Sequence, residues 1–316
     1  MTAVQTPVEK WPGAVREVTL GGGTRSAVTV GGETTLPFLG FEGSTPHRPA
    51  LAVEVFDSKP NGWSPELQSA WGELLDDPAQ WAKRAVELGA DLIALRLDSC
   101  HPDRGDNDAA HAVDKVKQVL AAVDVPLLVY GPGMGDKDNE VLVAVAEATK
   151  GEQLALGVCE EKNYRTIVAA ALGNGHLIIS ETPIDVNLAK QLNILVSDMG
   201  LSLDRVLMDP NTGGLGSGLE YTYSVMERLR LAALMGDSMT QQPMICQVGG
   251  ESWRQKEARA VDGVPEAWGD LAARGVAWEI STGVTLIEAG ADIVLVRHPD
   301  SLSALRAALD DLVKGA

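Results

Sequence analysis

Cysteine is scarce in this chain. Its 316 residues contain only Cys100, Cys159 and Cys246, far apart and without a CxxC pair. An iron–sulfur cluster usually takes four cysteine ligands, so the chain is not expected to hold one by itself. The three thiols read as small apolar residues buried near strand ends. Histidine is also sparse, and only His176 and His298 among five lie on or beside an apolar run, with no HxH pair. That disfavours a metal hydrolase, which needs clustered His and carboxylate ligands. No apolar run approaches the ~20 residues needed to cross a bilayer, and the N-terminal stretch has no signal-like apolar core. A soluble cytoplasmic protein with no membrane partner is the expectation. Basic residues are few as well: Lys and Arg number 26 against 44 Asp and Glu, a formal net charge of -18. Such a chain repels a nucleic-acid backbone at long range, which argues against a nucleic-acid partner.

What is present is a rhythm. From Ala50 onward, short apolar runs alternate with helical patterns, the sequence form of consecutive βαβ units. The predicted strands are Leu51–Phe56, Leu92–Leu97, Pro126–Tyr130, Leu154–Cys159, His176–Ser180, Arg205–Met208, Met244–Val248 and Asp292–Arg297. Helices are predicted at Pro78–Leu88, Ala109–Ala122, Asn139–Thr149, Tyr164–Leu172, Asp185–Met199, Glu220–Met235 and Ser301–Val313. Eight such units match the ~250 residues of a closed (β/α)8 TIM barrel. A doubly wound open sheet normally carries a Gly-rich fingerprint after its first strand, and none stands there. The fold class is therefore α/β, with residues 49–316 as the barrel and 1–48 as an N-terminal β-ribbon extension. In that extension Arg16–Leu20, Ala27–Val30 and Thr34–Leu39, punctuated by Gly21-Gly22-Gly23 and Gly31-Gly32, read as ribbon segments. The ribbon either plugs the barrel's bottom or pairs with another chain, since a two-stranded ribbon is marginal alone.

Function in such a barrel sits at the carboxyl ends of the strands. Asp57, Asp98, Glu160, Glu181 and Asp209 fall there, giving an expected acidic mouth, although acids at such positions also serve as helix N-caps and loop ties. Gly249-Gly250 and Arg297-His298 keep a small phosphate site open. No predicted strand carries the lysine that Schiff-base aldol chemistry requires. Glu160 and Glu181 on adjacent strands satisfy a retaining glycosidase's spacing, but Phe and Tyr together number only seven, so sugar-stacking platforms are lacking. No catalytic residue and no metal ligand is demanded by the pattern.

Two features remain. The segment Asp209 to Leu231, DPNTGGLGSGLEYTYSVMERLRL, places Asp209, Asn211, Thr212, Gly213, Gly214, Gly216 and Gly218 on one loop before an amphipathic helix. Glycines this close together signal unusual backbone angles or backbone passing near another body, while the plain alternative is a flexible capped loop. Trp63 and Trp71 follow the first strand, and Trp253 and Trp268 follow the seventh, all in long loops of one face. Tryptophan anchors interfaces, so these four are candidate docking residues; local packing of their own loops is the alternative. The connection from Glu251 to Ala289 is too long for one crossover helix, and Gly263-Val264-Pro265 with Gly275 divide it into two or three short helices.

The motifs TVGGETTLPF (Thr29–Phe38), AVEVFD (Ala52–Asp57), SETPIDVN (Ser180–Asn187) and, above all, the Asp209 to Leu231 segment resemble the small (delta) subunit family of the corrinoid iron–sulfur protein of the CO dehydrogenase/acetyl-CoA synthase system. The likeness spans nearly the whole chain. It implies a TIM barrel paired with a large subunit that holds a corrinoid (cobalamin) and a 4Fe-4S cluster. The pair would carry a methyl group from a methyltetrahydrofolate (or methyltetrahydropterin) methyltransferase to acetyl-CoA synthase in the reductive acetyl-CoA (Wood–Ljungdahl) pathway. The barrel would contribute to the corrinoid's surroundings at the subunit interface, with the Asp209–Gly218 loop, Glu181 and Thr182 as the corrinoid-facing candidates. Two other readings stay open. The Asp-Pro-x-x-Gly pattern also resembles pterin-dependent methyltransferase barrels, in which Asp209 and Asn211, with Glu160 or Asp98, would bind the pterin edge. The third is a pure structural scaffold.

Overall fold

The computed structural model describes residues 6–22 and 25–315. Two short strands, β1 (Val18–Leu20) and β2 (Val28–Val30), form an antiparallel ribbon. Eight parallel strands then close a barrel in chain order: β3 (Ala50–Phe56), β4 (Leu92–Arg96), β5 (Leu127–Tyr130), β6 (Ala155–Cys159), β7 (Leu177–Glu181), β8 (Val206–Asp209), β9 (Met244–Cys246) and β10 (Ala291–Val296), with β10 pairing back to β3. The helices are α1 (Pro65–Trp71), α2 (Pro78–Glu87), α3 (Ala109–Ala122), α4 (Gly135–Ala148), α5 (Tyr164–Asn174), α6 (Val186–Asp198), α7 (Leu219–Leu234), α8 (Val248–Ser252), α9 (Leu271–Glu288) and α10 (Pro299–Gly315). Each of the eight expected strands has its counterpart.

Strands buried on both faces are mostly apolar, and β3, β5 and β10 are buried at every position, with Glu54 and Asp292 as the charged exceptions. Alternate residues point inward. Ala50, Ala52, Leu92, Ala94, Leu128, Ala155, Leu177, Ile179, Leu207, Ile245, Ile293 and Leu295 fill the cylinder, and Val18, Leu20 and Val30 of the ribbon join the same cluster. The ribbon thus plugs the bottom, the first of its two expected placements. Arg25 ties it there, donating to the carbonyls of Val123 (2.5 Å) and Leu120 (2.8 Å) at the end of α3, and to Glu152 (2.6 Å) in the loop before β6. A buried ion pair fixes the following segment: Arg230 reaches Glu33 and Asp292, each at 3.0 Å.

Two expectations are corrected. Thr34–Leu39 is a turn, not a ribbon strand. Pro37 cannot donate to a ladder, and Phe38 has φ +58°. Gly23 of the predicted turn, like residues 1–5 of the extension, lies outside the described residues. Gly275 does not break the long connection but lies within the 18-residue α9. A Cβ there would stand 2.5 Å from the Trp253 ring, so this glycine serves close packing.

The helices start at the mouth, and aspartates cap several of them. Asp77, Asp108, Asp185 and Asp270 accept backbone N–H groups at the starts of α2, α3, α6 and α9. Part of the acidic excess is spent on the helix ends.

Candidate functional site

The uppermost inward positions of the strands are polar. Glu54 on β3, Arg96 on β4, Glu181 on β7 and Asp209 on β8 meet Gln247 and Arg297, which follow β9 and β10. They form two linked sets. Glu54, with no exposed surface, accepts from Arg96 Nε at 2.7 Å and from Arg297 Nε. Burial alone would raise its pKa, but the Arg297 and Arg96 guanidiniums outweigh that and hold it below the ordinary value. The Arg96 guanidinium lies 4.5 Å from the Tyr130 ring centre and also donates to Gln247 Oε1. The Gln247 amide in turn donates to Asp209 Oδ2 at 2.6 Å and to Glu181 Oε2 at 2.8 Å.

Glu181 and Asp209 compete for negative charge. Burial, then the nearby charges of Asp209 and Glu160, push Glu181 up to about 8. Burial lifts Asp209 to about 6, against the pull of its hydrogen bonds from Gln247 and Asn211 N–H. Near neutrality the pair therefore holds one proton between its two carboxyl groups. The buried thiols are inert: burial pushes Cys100 to about 11 and Cys159 to about 12, and raises Cys246 well above its usual value. Among the described residues no group of three His, Cys, Asp or Glu is placed to hold a metal.

The mouth is not simply acidic. Asp57 is a loop tie, accepting from Ser99 N (2.9 Å) and Ser99 Oγ (2.6 Å). Asp98 pairs with Arg104, and Glu160 pairs with Lys162 at 2.5 Å. The mouth cavity is lined by Arg96, Arg104, Arg254, Arg259 and Arg297 together with Asp98 and Glu251. Sequence reasoning passed over Glu54, Arg96 and Gln247. The first two were visible as charges inside otherwise apolar strands, but Gln247 carried no signal.

The Asp209–Gly218 loop divides. Asp209 is buried, and its Oδ1 accepts Asn211 N–H at 2.9 Å. Asn211, at φ +62°, turns its own Oδ1 to Gly213 N–H at 2.6 Å. Thr212 is buried, its Oγ accepting Gln247 N–H at 3.0 Å. Gly214 is also buried, and a Cβ on it would meet Ile184 Cδ1 at 2.6 Å and Thr222 Oγ1 at 2.9 Å. Its close approach is to its own fold. Gly213 and Gly216 are exposed with Ser217, and Gly218 is half-buried. Thr182 is buried beside Glu181 in a smaller cavity between β6 and β7.

The tryptophans divide too. Trp63, Trp71 and Trp253 are buried, and Trp268 is 44% exposed. Trp63 stands edge-on to Phe56 and to Trp81, and Trp71 donates its Nε1–H to the Arg297 carbonyl at 2.7 Å. Trp253 stacks on His298 and donates to Glu279 at 2.9 Å. Local packing claims these three rings, leaving Trp268 as the open one.

Comparison with known proteins places the chain. A family model described as CO dehydrogenase/acetyl-CoA synthase delta subunit matches residues 17–307. The acetyl-CoA decarbonylase/synthase complex subunit delta of Archaeoglobus fulgidus is 38% identical over 316 residues, covering 96% of this chain and 70% of the relative. That of Methanothermobacter thermautotrophicus is 37% identical over 314 residues, covering 95% and 76%. Among solved structures, a Xanthomonas albilineans dihydropteroate synthase with 4-aminobenzoic acid superposes with a TM-score of 0.59 at 15% identity, covering 84% of this chain and 93% of that one. The Thermus thermophilus enzyme in complex with 4-aminobenzoate gives 0.57 at 16%, covering 95% and 99%. These last show the fold alone.

Proposed function

The chain belongs to the CO dehydrogenase/acetyl-CoA synthase delta subunit family, and from that premise we propose that it is a non-catalytic small subunit whose barrel rim covers a corrinoid held by a larger partner subunit. The pair passes a methyl group from a methyltetrahydrofolate or methyltetrahydropterin methyltransferase to acetyl-CoA synthase. The 4Fe-4S cluster belongs to the large subunit.

The observation that carries this reading is how far the carboxylates of the polar layer are tied to the layer's own groups. Glu54, Arg96, Gln247, Glu181 and Asp209 are linked in one network that Arg297 joins through its Nε alone, and the three thiols are buried with raised pKa values. Groups so engaged hold a rim rigid, while a nucleophile or base must be free to reach a substrate. The rim also suits a broad flat ring, because Gly213, Gly216 and Ser217 offer exposed backbone with little or no side chain. The corrinoid would supply the cobalt that accepts and gives up the methyl group. This chain's residues would keep water from that face and fix the distance of approach.

Exposed Ser217 provides the test, since buried Gly214 would report on folding instead. Reconstituted with the corrinoid-bearing subunit, a Ser217→Trp chain should alter the corrinoid's visible spectrum and weaken assembly. An unchanged spectrum across residues 213–217 would leave a pure scaffold. The Glu181–Gln247–Asp209 set is the one feature that favours a pterin-dependent enzyme. Saturable micromolar binding of a methyltetrahydropterin to the isolated chain would support that reading, and its absence the subunit reading.

A further inference from the structure

A cavity of about 450 Å³ opens at the mouth, lined by Arg96, Arg104, Arg254, Arg259 and Arg297. It is separate from the one that Glu181 lines. Three carboxylates answer the five guanidiniums. Glu54 takes both Arg96 and Arg297 from beneath, Asp98 takes Arg104, and Glu251 takes Arg254. Arg259 has no ion-pair partner among the described residues. A positive excess is thus concentrated in one recess of a chain whose formal net charge is -18.

Arg297 is set for recognition. Its Nε is bound to Glu54, and its guanidinium stands 5.5 Å from the Phe56 ring centre and 5.2 Å from that of Trp63. No hydrogen bond engages its two terminal nitrogens among the described residues. A Cβ on Gly250 would crowd one of them, Nη2, to 3.3 Å, so the glycine leaves that edge approachable. Trp63 and Trp253 border the same recess as buried rings, so its approachable surface is that of the guanidiniums.

We propose that this recess binds a small organic anion carrying at least two oxyanion groups, phosphate or carboxylate. A guanidinium fork matches both oxyanions in a bidentate way, and partial exclusion from water strengthens each pair. This goes beyond the corrinoid-covering role and does not rest on it, because the binding belongs to this chain alone.

The test is calorimetric titration of the purified full chain at low salt with pyrophosphate and with citrate. One site per chain is expected. A preference for pyrophosphate over citrate would assign the natural ligand to phosphate esters, and the reverse to carboxylates. Arg297→Met should weaken binding by about tenfold or more. Since that change leaves buried Glu54 with one cation, the exposed pair Arg254→Gln with Arg259→Gln supplies an independent variant, expected to weaken binding severalfold with the circular dichroism spectrum unchanged. Absence of saturable heat up to about 10 mM, or binding that neither variant alters, would overturn the proposal.

Discussion

Glu54 is one carboxylate beneath two guanidiniums, and Gln247 is one amide between two carboxylates. The first arrangement keeps a buried charge ionised, and the second keeps one proton on a pair that would otherwise repel. The pair has a consequence for pH. An acid whose pKa is raised in the folded state binds its proton more tightly folded than unfolded, so its contribution to stability falls as pH rises. For Glu181 that loss runs from 4.5, its ordinary value, to about 8. Glu181→Gln retains an acceptor for the Gln247 amide but cannot ionise. Its melting temperature should therefore exceed the parent's by several degrees above about pH 8, with the gap closing towards pH 4.5. Parallel melting curves for the two proteins across that range would show that the raised pKa is absent. These residues were only partly legible beforehand. Glu181 and Asp209 were found because strand ends are recognisable, but their bridge by Gln247 depends on barrel closure bringing β7, β8 and β9 together.

At the level of elements, the ribbon is part of the core. Leu20 has no exposed surface and packs inside the cylinder. Leu20→Ala should destabilise the chain by about 2–5 kcal/mol in urea unfolding, the range for buried leucines. A cost under about 0.5 kcal/mol, typical of surface sites, would make the ribbon a peripheral arm. Local pattern revealed the eight barrel strands because apolar runs bounded by turns are a short-range signal. It did not reveal α9, because Gly275 is needed for a ring 22 positions earlier in the chain, that of Trp253. The tryptophans illustrate the same limit. Their enrichment in long loops was readable, yet only the folded loops show that Trp63, Trp71 and Trp253 face inward while Trp268 does not.

For the whole molecule, the barrel has two unlike ends. Its bottom is closed by the ribbon, whereas its mouth carries the polar layer, the arginine recess, the Gly213–Gly218 loop and exposed Trp268. A net charge of -18 makes the arginine recess a local exception in the field that an approaching partner meets. None of the described helices is long and apolar enough to cross a membrane. Family membership says that the chain is a delta subunit; the two-ended shape says which end has a surface left to cover. Hydrogen exchange, measured on the chain alone and in complex with the corrinoid-bearing subunit, tests this most directly. The account predicts new protection in residues 211–219 and 254–270 at the mouth, with residues 15–31 unchanged. Protection confined to the ribbon end, with the mouth exchanging as before, would contradict it.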